Sequence, residues 1–141
     1  MDIKLRRTAY LSLIGILIRT NTFPKVVEIV KEMTRAGHYL GVYTRALLIY
    51  MLGCARRPVC AAKIFSLLPD EQKCTATYTA LIGVHFAVGG SNKALKTYKS
   101  MQRTGKHPSL GTYNVQLSGL EISGRLSEAE TYQKKKRSRN L

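Results

Sequence analysis

Apolar side chains recur along this chain at three- and four-residue steps, interrupted at regular places by glycine and proline. Tyr10, Leu13, Ile14 and Leu17 share one face of a helix at 3.6 residues per turn. A polar turn from Thr22 to Pro24 follows, and Val26, Val27, Val30 and Met33 then repeat the spacing up to Gly37. The same grammar returns later. Tyr78, Leu81, Ile82 and His85, with Phe86 beside them, are broken off at Gly89 and Gly90 and succeeded by Ala94, Leu95, Tyr98 and Met101. Ser91 suits the cap of that second helix, Gly105 suits the left-handed position after its end, and Pro108 prevents continuation. Lys93, Lys96 and Lys99 fall mostly off the stripe.

These helix pairs are periodic. Tyrosines at positions 10, 43, 78 and 113 are spaced by 33, 35 and 35 residues. Gly89 and Gly124, Ala94 and Ala129, and Ile82 and Leu117 are each 35 apart, while Met33 and Met101, like Gly37 and Gly105, are 68 apart. A hairpin of this size cannot bury its apolar stripe alone, whereas stacked neighbours can, forming a superhelix with a concave inner surface. The expected fold is all-α, a right-handed α-solenoid of about four helix-turn-helix units over residues 7–39, 40–74, 75–109 and 110–141. A closed helix bundle could use the same hairpins, but a fixed period favours the stack. In the second unit, Pro58 and the insertion-like stretch 55–60 are expected to disturb the turn between helices.

Charge changes the picture. Lys plus Arg number 23 against 8 Asp plus Glu, a formal net charge of +15. Self-repulsion of that size is relieved by a polyanionic partner, so nucleic acid and anionic membranes come first. Lys4, Arg6 and Arg7 before the apolar run 9–18 imitate a secretory signal. The run is too short to span a bilayer, Arg19 ends it, and no small-residue cleavage site follows. It is read as a structural helix, with no membrane partner. Cys54, Cys60 and Cys74 form neither a disulfide framework nor, with the distant His38, His85 and His107, a zinc pattern. No phosphate-cradling glycine loop and no nucleophile with an organised base is present, so neither an enzyme, a cofactor nor a small-molecule substrate is expected.

The segments 77–82 (Thr-Tyr-Thr-Ala-Leu-Ile) and 112–114 (Thr-Tyr-Asn) resemble the opening of a pentatricopeptide repeat. Ala94 and Leu95 followed by Tyr98, Met101, Gly105 and Pro108 resemble its middle and end, and 62–71 looks like the shorter plant-type variants. The related tetratricopeptide repeats carry a tryptophan in the first helix, and this chain has none. The resemblance implies single-stranded RNA as partner, read at about one base per repeat by two or three side chains. The polar residue after the tyrosine and the last residue of the repeat would select the base. Those positions are Leu11, Thr44, Thr79 and Asn114, and Cys74 and Ser109. Thr79 with Ser109 would lean towards a purine and Asn114 towards a pyrimidine, while Leu11 cannot hydrogen-bond and Cys74 is a poor partner for Thr44. Base-sandwiching positions would be Thr8, Gly41, Ala76 and Gly111, a thin set.

Lys106 and the run Lys134, Lys135, Lys136, Arg137 and Arg139 are the expected phosphate contacts, which position RNA without specifying it. The resemblance also implies organellar RNA metabolism, in a mitochondrion or chloroplast. The competing expectation is a protein-interaction scaffold, or a structural component of an organellar ribonucleoprotein such as the ribosome.

Overall fold

A computed structural model describes residues 6–139, with the side chain of Tyr43 outside the described residues. Lys4, noted above, also lies outside them. The described chain is all-helical: α1 (Arg7–Arg19), α2 (Phe23–Arg35), α3 (Val42–Cys54), α4 (Pro58–Leu67), α5 (Thr75–Ala87), α6 (Ser91–Arg103), α7 (Leu110–Ile122) and α8 (Leu126–Ser138), with one 3-10 turn, Asp70–Gln72. Odd and even helices pair as hairpins, and α5 packs between α3 and α7. This is a helical-repeat solenoid. No helix among the described residues is long and apolar enough to cross a membrane.

The helix ends reveal a register that differs from the tyrosine spacing. Tyr10, Tyr78 and Tyr113 are each the fourth residue of their helix, but the fourth residue of α3 is Arg45, and Tyr43 is the second. Positions 10, 45, 78 and 113 are the equivalent ones, at intervals of 35, 33 and 35. Everything around them agrees. The residues with positive φ that close the first helices, Asn21, Arg56, Gly89 and Gly124, each fall eleven places later. The second helices begin thirteen places later, at Phe23, Pro58, Ser91 and Leu126. Three, four and seven places on lie the core positions, and in α3 these are Leu48, Ile49 and Leu52, all buried.

Two expectations about the second unit are thereby corrected. Residues 55–60 contain no insertion. Pro58 opens α4, where its fixed φ suits a helix start and its missing N–H costs nothing. The unit is instead shortened at its far end. Pro69 biases Leu68 to extended backbone (ψ 138) and ends α4 after ten residues.

Hairpins approach closely where small residues permit it. A Cβ on Gly53 would lie 2.7 Å from a Val84 methyl, and one on Gly119 would collide with the Phe86 ring. Phe65 packs edge-on against Tyr78, and Tyr98 against Tyr132, with ring centroids 4.9 and 5.4 Å apart. Of these rings Tyr78 and Tyr98 are buried, and a large side chain fully buried contributes about 1.5–3 kcal/mol.

Candidate nucleic-acid interface

One, five and nine places after the buried fourth residue, three side chains line up on one side of each odd helix. In α1 they are Leu11, Gly15 and Arg19, and in α3 Ala46, Tyr50 and Cys54. In α5 they are Thr79, Gly83 and Ala87, and in α7 Asn114, Ser118 and Ile122. Between α3 and α5 this stripe becomes an open groove of about 610 Å³, lined by Ala46, Tyr50, Gly53, Thr79, Ala80 and Gly83, with Val115 contributed by α7. It is mostly apolar. Tyr50 is 61% exposed within it, and a hydrogen bond with the Cys54 thiol one turn on raises its pKa.

The proposed base-selecting residues sit in different situations. Asn114 is exposed on α7, and its Oδ1 accepts a hydrogen bond from Lys136 Nζ at 3.1 Å. Thr79 is half-buried. Its hydroxyl lies 2.7 Å from the Thr75 carbonyl oxygen and 2.8 Å from the Thr112 hydroxyl, so its hydrogen-bonding capacity is largely taken. Ser109 caps α7, accepting from the Thr112 amide at 3.2 Å while Thr112 Oγ1 accepts from the Ser109 amide at 3.1 Å.

Thr44 changes place altogether. Being one residue before Arg45, it corresponds to Thr77 and Thr112, and Ala46 corresponds to Thr79 and Asn114. Thr44 lies between α1 and α3 among Leu11, Ile14, Leu40 and Leu48. In this register the residues after the fourth helical position are Leu11, Ala46, Thr79 and Asn114, and of these four only Asn114 is both polar and exposed. By the same register, Arg6, Gly41, Cys74 and Ser109 are the four residues that precede the odd helices.

The basic run is divided by the helical turn of α8. Lys136 faces α7 through Asn114, and the Lys135 ammonium stands 5.0 Å over the Tyr132 ring. Lys134 pairs with Glu130 at 3.6 Å and shares the outer side of the hairpin with Arg137 and Leu126. Arg139 is exposed just beyond the helix end, and Lys106 is half-buried in the turn after α6. That turn is tied to α5, since the Thr75 hydroxyl donates to the His107 carbonyl at 2.9 Å. Among the described residues, no group of three or more His, Cys, Asp or Glu is placed to hold a metal ion.

Tyr50 was invisible from the sequence because the tyrosine register put it in the core. The signal that exposes it is the Leu48, Ile49, Leu52 triplet, which matches Leu81, Ile82, His85 only when counted from Arg45.

Two family models match this chain, the PPR repeat family over residues 73–121 and the PPR repeat over residues 8–38. The chain belongs to the pentatricopeptide-repeat family. Two pentatricopeptide repeat-containing proteins of Arabidopsis thaliana are 53% and 50% identical to it over 121 residues, 86% of this chain in each case. The chain spans 21% of the length of the first and 66% of the second. Within pentatricopeptide repeats, the matched segments include Tyr10 and α1, and the whole of α5, α6 and the Thr112–Tyr113–Asn114 opening of α7. The second hairpin, where arginine replaces the tyrosine, lies outside both matches.

Proposed function

We propose that this chain is a non-catalytic, single-stranded RNA-binding repeat protein acting in organellar RNA metabolism, in processing, splicing, stabilisation or translation. The observation that carries the reading is the pairing of Asn114 with Lys136. It puts an exposed amide able to read a base edge beside a cation able to hold the adjoining phosphate, on a chain of net charge +15. Tyr50 adds an exposed aromatic face on the same stripe, suited to stacking an unpaired base. Affinity is then mainly electrostatic, with base choice concentrated at α7. A mitochondrial or chloroplast setting, in a plant, is part of the same proposal and rests on family membership.

The apolar lining of the α3–α5 groove favours a second reading, a scaffold that holds a protein segment or docks into an organellar ribonucleoprotein. Binding of the chain to matched single-stranded and double-stranded RNAs at two salt concentrations separates the two. Preference for single strands that survives the higher salt supports the RNA reading. Equal binding to both forms that disappears at the higher salt leaves the scaffold, because counterion release alone then accounts for the affinity.

A further inference from the structure

Arg45 occupies the position where the other three repeats bury a tyrosine. It is 6% exposed, and its charge must be compensated locally because an unpaired buried ion is strongly unfavourable. Nη1 donates to the Leu40 carbonyl oxygen at 3.2 Å, and Nε has no hydrogen-bond partner. Arg45 takes part in none of the carboxylate ion pairs among the described residues. What its guanidinium does face is sulfur, with Nη2 3.9 Å from Cys74 Sγ.

Cys74 itself precedes α5 as its N-cap, free of any disulfide and partly exposed. The helix start directs amides and a positive dipole at this position, which favours a thiolate. The Thr77 hydroxyl lies 3.7 Å from the sulfur. Lys73, its chain neighbour, is turned away to Asp70 at 3.6 Å and to the Phe65 ring. Burial by itself would raise the thiol pKa. The Thr77 amide and hydroxyl, the Arg45 guanidinium and the Ala76 amide outweigh it and bring it down to about 7.

We propose that Cys74 is a thiolate modification site, held as the counter-ion of buried Arg45, and that the ligand class it takes is small peroxides. The thiolate lone pair attacks one peroxide oxygen. A sulfur–oxygen bond forms, the oxygen–oxygen bond breaks, and the departing hydroxide takes a proton from solvent to leave as water. Sulfur is oxidised by two electrons to sulfenic acid and the peroxide is reduced. Discharging the sulfur also strips Arg45 of its counter-charge at the seam between the second and third repeats.

The test is the pH dependence of iodoacetamide labelling at Cys74 in the full chain, read by peptide mass spectrometry. A thiol at the ordinary value near 8.5 loses about eightfold in thiolate between pH 8 and pH 7, and one at about 7 loses roughly twofold. The proposal expects about the twofold fall, and a dimedone adduct at Cys74 ahead of Cys54 and Cys60 after peroxide at pH 7. Arg45→Tyr restores the residue of the other repeats, so the variant is built to fold, and it should steepen the fall above twofold, short of eightfold because the Thr77 and Ala76 donors remain. Arg45→Lys should keep the shallow profile. An eightfold fall in the parent chain, or a shallow one that persists in Arg45→Tyr, overturns the proposal.

Discussion

Lys136 donates to the side-chain oxygen of Asn114 across 3.1 Å, joining residues 22 positions apart on α8 and α7. Under the proposed function, a base-reading amide and a phosphate-binding cation start out bound to each other, and RNA would exchange that bond for two of its own. The two substitutions should part company. Asn114→Ala should flatten base preference by about 1–3 kcal/mol at one nucleotide. Lys136→Met should weaken all sequences alike and reduce the salt slope by about 1. Binding titrations against a panel varied at one base decide this, and identical effects of the two variants would refute the division of labour.

Tyr50, 61% exposed and lining the apolar groove, is the aromatic that the proposed function assigns to stacking a base. Tyr50→Ala should cost about 1–3 kcal/mol in single-stranded RNA affinity and leave double-stranded binding unchanged. Tyr50→Phe should bind like the parent chain. Thermal melts of both variants check that the fold, in which this side chain is largely solvent-exposed, is retained.

Gly119 lets α7 close on α5, and any Cβ there meets the Phe86 ring. Gly119→Ala should destabilise by about 1–3 kcal/mol through overpacking. Adding Phe86→Leu should recover part of the loss, which the midpoint of urea unfolding would register. No recovery in the double variant would mean that the clash lies elsewhere.

His85 stands where Leu17, Leu52 and Leu120 lie in the other repeats. Burial, and secondarily the charge of Lys93, depress its pKa below 6.5, and its Nδ1 has no hydrogen-bond partner. The unfolded chain therefore binds this proton more readily than the folded one. Its neutral form supports the fold fully above pH 6.5, and that support is lost as pH falls below 6.5 towards the depressed folded value. The melting temperature should drop between pH 7.5 and pH 5.5, and His85→Leu should drop less. Parallel slopes for parent and variant would remove His85 as the cause.

The side of the fourth hairpin that no other described hairpin covers is polar at places equivalent to packed ones. Phe86, Leu95 and Tyr98 pack against the fourth repeat, and 35 residues later stand Glu121, Glu130 and Gln133, all exposed. Substituting these three by Phe, Leu and Tyr should create a stacking face beside the already exposed Ile122 and Leu126. Sedimentation velocity should then show stronger concentration-dependent self-association than the parent chain shows, and a triple variant that sediments as the parent does would deny the surface that role.

Helix identity, the pairing of helices and the repeat length were legible along the chain, because they rest on local chemistry. Apolar steps of three and four, a left-handed turn residue and a proline at a helix start act within a few residues of themselves. The same reading misplaced the second unit, because a tyrosine two residues upstream of Arg45 gave an equally regular interval. Only the packed structure chose between the two registers. Counting from Tyr43 would place Tyr50 in the core and leave Leu48 and Leu52 off the stripe, whereas counting from Arg45 buries Leu48, Ile49 and Leu52 against their neighbours. The cost of that choice is a buried guanidinium, faced by Cys74 at the seam with the next repeat. Contacts of that kind, like Lys136 on Asn114 and Thr79 on Thr112, join residues 22 to 33 positions apart. They depend on how far one helix is displaced along another, and side-chain packing between helices sets that displacement.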